Sequence, residues 1–140
     1  MIRYLTSLLT LVLAMTISTT YGASMPICPS SPNCVSSEAQ DSHRIEPFVV
    51  QGDPDAAFQR LQTLLAQRSD ATVVSVDKDV IRVEFRTLMG FVDDGLFLLD
   101  RSIPAICVRS AARSGYWDLG KNRRRLEEIR QQFTPTGATP

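Results

Sequence analysis

The chain has 140 residues, fifteen basic and fifteen acidic, and three cysteines. That length holds one domain once an N-terminal segment is set aside. A net charge of zero argues against a nucleic-acid binder relying on bulk positive charge.

Residues 1–23 read as a signal peptide: Arg3 supplies the positive start, residues 5–17 the apolar core, and Gly22 or Ala23 the cleavage point. The apolar run falls short of the roughly 20 residues that cross a bilayer. Export to the periplasm or the exterior is therefore expected, with an uncleaved membrane anchor as the alternative. Cys28 is a poor lipoprotein site, because Met25, Pro26 and Ile27 precede it. Residues 24–41 form a Pro/Ser-rich arm. Within it, "CPSSPNC" places Cys28 and Cys34 where two prolines bend the chain. A disulfide between them is preferred in an oxidising compartment and would contribute about 2 kcal/mol. Cys107 then reads as a buried free thiol, and a Cys34–Cys107 bond is the alternative.

Residues 44–50 suggest a short strand. The segment "GDPDAAFQRLQTLLAQR" predicts a helix capped by Asp53, with Pro54 at its first position and Phe58, Leu61, Leu64 and Leu65 on one stripe. Strands over 71–76 and 80–87 flank Asp77-Lys78-Asp79, and in the second Ile81, Val83 and Phe85 alternate with Arg82, Glu84 and Arg86. Two further strands follow over 91–99 and 105–113, joined by a turn. A closing helix over 119–133 carries Leu119, Leu126, Ile129 and Phe133 on the stripe that also holds Asn122. The tail 134–140 is too polar to pack and is expected to be disordered. The domain proper is thus 42–133, in the order β-α-β-β-β-β-α. The expected fold is a two-layer α+β sandwich, an antiparallel five-stranded sheet with both helices on one face. That order resembles TATA-box-binding-protein-like folds, in which one sheet face stays open; the analogy carries no function.

Charge is unevenly spread. Residues 38–100 hold twelve acids and six bases, whereas 101–130 hold eight bases and three acids. The two segments are expected chiefly to neutralise each other on folding. In a register with Leu98 opposite Ile106 and Leu96 opposite Val108, those four side chains face the core. Gly95 then lies opposite Arg109 and leaves room for its stem, and Asp93 bridges Arg109 and Arg113 on the outer face. Asp94 turns inward and accepts the Ser110 hydroxyl. A one-residue slip would exchange all these faces.

The closing helix has the wrong polarity: Lys121, Arg123, Arg124 and Arg125 sit where its dipole is already positive. Glu127 and Glu128 are expected to pair with Arg123 and Arg124 at i+4, in the less favourable orientation. Asp118 as N-cap, a distant carboxylate or a bound anion would offset the rest, and pairing within the protein is preferred. A buried Asn122 needs partners, either tying down residues 114–117 or lining a site.

Candidate binding residues are Asp93, Arg109, Arg113, Trp117, Asn122 and Arg123, with Arg82 and Arg86 on the same outer face. Asp94, Ser110 and Asp118 are structural. For a hydrolytic triad the chain offers His43 with Asp41 and Ser36, Ser37 or Ser110, but no nucleophile-elbow sequence. Asp93 and Asp94, as strand neighbours, point to opposite faces and cannot easily share a ligand or a metal. One histidine and no Cys-x-x-Cys pair leave no metal set, and no cofactor is implied. Tyr116 and Trp117 are the only aromatics near the basic run, so nucleic acid is not expected.

The stretches "CPSSPNCVSS", His43 with Pro47, "FVDDGLFLLD" and "VRSAARSGYWDLGKNRRR" resemble a bacterial and plastid family, the domain of unknown function 1499 (DUF1499). They cover residues 28 to about 133 in the family's order. The resemblance implies a small protein, often exported or membrane-attached, with no activity assigned to the family. Members commonly carry serine where this chain has Ala112 and Trp117. The expected function is a non-enzymatic envelope module binding a small anionic ligand, a lipid headgroup or a protein partner. The competing hypothesis is a hydrolase using His43 or Asp93/Asp94.

Overall fold

The structure, a computed structural model, describes residues 24–134. The expected signal segment and, apart from Thr134, the expected tail lie outside the described residues. In chain order the elements are β1 (Cys34–Ser36), β2 (Phe48–Val49), α1 (Pro54–Gln67), β3 (Ala71–Asp77), β4 (Val80–Arg86), β5 (Val92–Asp100), β6 (Ala105–Ala112) and α2 (Lys121–Phe133). The strands pair antiparallel in the order β1-β6-β5-β4-β3, and β2 lies along the same β6 edge as β1. Both helices cover one face of this sheet, giving the two-layer α+β architecture that the sequence implies.

The sheet has six strands rather than five. The additional strand, β1, comes from the arm and is stapled to it by a Cys28–Cys34 disulfide. Conversely, the strand expected over 44–50 shrinks to two residues. Between β1 and β2 the chain leaves the sheet, keeping an isolated Ser36–Arg44 bridge and the bond from the Ser37 amide to the Val108 carbonyl.

Local chemistry sets the remaining boundaries. Asp53 caps α1 through its carboxylate, which accepts the Asp55 and Ala56 amides, and Pro54 opens the helix. The alternation in β4 turns Ile81, Val83 and Phe85 toward the helices. Phe48 sits near the middle of the core, its ring 6.0 Å from Phe97 and 5.7 Å from Phe133.

The β5–β6 register differs from the expected one by a single residue. Leu98 pairs with Cys107, Leu96 with Arg109 and Gly95 with Ser110. Phe97 and Leu99 are therefore buried with Ile106 and Val108, while Leu96 and Leu98 lie on the open face. Because 96–99 are all apolar, either register offers the core two large side chains, and alternation there cannot choose. The turn does: Pro104 stays in the loop, its carbonyl taken by the Val50 amide, and β6 begins at Ala105. The slip exchanges the two aspartates. Asp93 faces the helices and Asp94 faces outward.

The glycine between them is also reassigned. A Cβ on Gly95 would lie 2.5 Å from Cε2 of Phe85, so Gly95 makes room for a core ring rather than for the Arg109 stem. Finally, α2 starts at Lys121, and Leu119 is 66% exposed instead of joining the buried stripe.

Candidate functional site

Three places receive the residues singled out above: the N-terminal half of α2, the open sheet face, and the loop between β6 and α2.

In α2 most of the basic run finds partners within the protein. Arg125 is 5% exposed, and its Nη2 lies 2.8 Å from Oδ2 of Asp93, which is 3% exposed. The contact is ionic rather than a well-aligned hydrogen bond. Asp70 lies 3.6 Å from the Arg125 Nε, and the guanidinium stacks 4.6 Å above the Phe85 ring. Arg123 donates to the backbone carbonyls of Ser42 and Arg44 at 3.0 and 2.8 Å. Two turns further along the same stripe, Arg130 donates to the carbonyls of Glu46 and Pro47 and lies over Phe48. These two guanidinium forks thus satisfy the carbonyls of the segment that leaves the sheet between β1 and β2. Arg124 donates to the Leu119 carbonyl. The expected i+4 pairs do not form: Glu127 pairs with Arg130 and Glu128 with Arg68.

The start of α2 is held by a side chain two residues before its cap. Gly120 is the N-cap, in the left-handed region, and has no side chain to offer. Asp118 instead accepts the Gly120 and Asn122 amides and the Asn122 side-chain amide at 2.8–2.9 Å. Asn122 is fully buried. Its oxygen accepts from the Ser110 hydroxyl and from Arg125, and its amide also reaches the Asn33 carbonyl. Ser110 therefore serves Asn122 rather than Asp94. The Asn33 side chain in turn donates to the Gly115 carbonyl, so the loop 114–117 is tied down through Asn33.

On the open sheet face, Asp94 takes the place expected of Asp93. Arg113 donates to both Asp94 and Glu84, and those two carboxylates hold its pKa above the ordinary arginine value. Arg82 pairs with Asp77, and Arg86 with Glu84. Arg109 differs. Its side chain makes no hydrogen bond to another described residue, and its Nε is buried without a partner. Burial depresses its pKa, opposed by the charge of Asp94 alone. Arg109 lines a depression of about 270 Å³ together with Leu96, Asp94, Val74 and Pro26 of the arm.

Trp117 belongs to neither group: it is exposed on the loop beyond β6. The six candidate binding residues are thus dispersed. Asp93, Asn122 and Arg123 serve the α2 framework, Arg109 and Arg113 share the open face, and Trp117 stands apart. Arg125 and Asn33 were missed as partners of that framework. Arg125 carried a signal in its place on the apolar side of α2, three residues after Asn122.

The elements of a triad do not come together. Nδ1 of His43 meets Asp41 at 2.9 Å and Nε2 meets the Ser31 carbonyl at 3.1 Å, so no ring nitrogen is left for a serine. Ser37 accepts the Val108 amide through its hydroxyl, and Ser36 accepts that of Glu38. Both His43 contacts favour a doubly protonated ring, and the Asp41 bond above all raises its pKa. Among the described residues no group of three His, Cys, Asp or Glu stands close enough to hold a metal ion. Cys107 is free and half-buried on the open face, where burial pushes its thiol pKa up. No helix among the described residues is long and apolar enough to cross a membrane.

Against known proteins, residues 24–133 match a family model described as "Protein of unknown function (DUF1499)". No curated protein matches the chain, and no solved structure does.

Proposed function

The chain belongs to the DUF1499 family, and from that premise we propose that it is an exported, non-enzymatic module whose open sheet face binds an anionic oxygen group. The group is a phosphate or carboxylate, carried by a small molecule, a lipid headgroup or an envelope partner. Export is supported by the sequence of residues 1–23 and is compatible with the Cys28–Cys34 disulfide.

The observation that carries the proposal is Arg109. Among the described arginines that are buried or half-buried, its side chain alone lacks a hydrogen-bond acceptor among the described residues. A half-buried guanidinium has lost part of its hydration, and nothing in the fold replaces it. An incoming oxyanion would supply charge-assisted bonds to a planar donor fork suited to bidentate recognition. Arg113, beside it, already has two carboxylates and would serve as a secondary contact.

Native mass spectrometry of protein purified from its own compartment tests this. A bound species is expected on the wild type and on Arg123→Gln, and is expected to be absent from Arg109→Gln. Its mass separates a soluble anion from a phospholipid or a protein. A species retained by folded Arg109→Gln would overturn the assignment.

A further inference from the structure

At one end of the sheet, two loops that share a cleft expose large apolar side chains. The β4–β5 loop presents Leu88, Met89 and Phe91, at 106%, 83% and 54% exposure. The β6–α2 loop presents Tyr116, Trp117 and Leu119, at 73%, 68% and 66%. Met89 and Phe91 from the first loop and Trp117 and Leu119 from the second line a cleft of about 230 Å³ between them, with Asp93 in its wall. We propose that this end of the molecule docks on the surface of an anionic phospholipid bilayer, with the six side chains seated among the headgroups.

Three observations support a bilayer as the occupant. First, the side chains are of the kinds that partition into the membrane interface: Trp and Tyr with apolar bodies and polar tips, and aliphatic residues beside them. Scattered exposed apolar residues need no explanation, but six on two facing loops form a patch. Second, the charge left over at this end is positive. Lys121 lines the cleft and is exposed, as is Arg124, whereas of the nearby acids Asp93 is paired with Arg125 and Asp118 alone stands against these two cations. Arg86 and Arg113, close by, share Glu84 and Asp94. Each uncompensated cation near an anionic surface strengthens attachment by about five-fold. Third, Leu119 has a φ of 56°, in the left-handed region that disfavours a leucine. The chain bears this strain while leaving the side chain in water, and insertion into a bilayer would give the exposed leucine its compensation.

The docking surface is separate from the Arg109 depression, so either proposal can fail alone. Trp117 is the chain's single tryptophan and reports directly on this end of the molecule. The protein as purified is mixed with vesicles of phosphatidylcholine containing a third phosphatidylglycerol, and with vesicles of phosphatidylcholine alone. With the anionic vesicles, Trp117 emission is expected to shift to the blue and to be quenched by brominated acyl chains. The double variant Leu88→Ser/Met89→Ser, at positions too exposed to affect folding, is expected to weaken that response at least ten-fold. Lys121→Gln should weaken it about five-fold, and Lys78→Gln, in the exposed turn between β3 and β4, should leave it unchanged. Unshifted Trp117 emission with anionic vesicles, including a case in which the protein sediments with them, would overturn the proposal. So would an equal response with the zwitterionic vesicles, or one indifferent to Leu88 and Met89.

Discussion

The arginines of α2 and the arginine at the centre of β6 lie within some twenty residues of each other, yet their surroundings are opposite. Arg123, Arg125 and Arg130 are saturated by Asp93, by Glu127 and by four backbone carbonyls of residues 42–47. The Arg109 side chain, in a strand of ordinary composition, has no acceptor among the described residues. A dense basic run is thus a poor guide to a binding site here. On the proposed reading, the mark of a site is a cation whose hydrogen bonds the fold leaves unmade.

The largest effect should come from breaking the saturated side of this contrast. Arg125→Met leaves the Asp93 carboxylate buried without its counter-charge, and such single deletions cost about 3–5 kcal/mol. Urea unfolding should show that loss, and adding Asp93→Asn should recover part of it. A loss below 1 kcal/mol would mean that the pair is not a structural element. Next comes Gly95→Ala, whose new Cβ would collide with Phe85, the ring on which Arg125 rests. Overpacking of this kind costs about 1–3 kcal/mol. A stability unchanged in the same unfolding assay would contradict the packing described.

Replacing Cys28 and Cys34 by serine should cost about 2 kcal/mol, read as a lowered melting temperature, because the loop they close is short. The smallest effect is expected from pH. His43 has its pKa raised by Asp41, so its contribution is complete below its ordinary value of 6.5 and fades as pH rises through the folded value. Asp41 has its pKa lowered, so its share is present above 3.8 and fades as pH falls through the folded value. Between pH 6 and pH 9 the wild type should therefore lose more melting temperature than His43→Gln does. Parallel profiles would remove the pair from the account.

Much of the fold could be read from residue patterns, where each pattern had one solution. Asp53-Pro54 marks where α1 starts, Asp77-Lys78-Asp79 marks the β3–β4 turn, and the β4 alternation assigns its faces. The misreadings have physical causes. Leu96 to Leu99 are apolar on both faces, so the β5 register depended on where Pro104 falls. β1 is three residues in a polar arm, too short to show alternation. The acceptors of Arg123 and Arg130 are backbone carbonyls, which no side-chain pattern marks. That Arg125 is met by carboxylates from within the chain was legible from the acidic excess elsewhere. That Arg109 is left over was not, because it depends on Asp94 turning toward Arg113.

The most direct test of the contrast is the set of arginine Nε–H signals in a nitrogen–proton NMR spectrum during titration with inorganic phosphate. The Arg109 signal should move saturably while those of Arg123, Arg125 and Arg130 stay in place. Movement of the α2 signals with Arg109 unmoved would contradict the account and return the binding site to the basic helix.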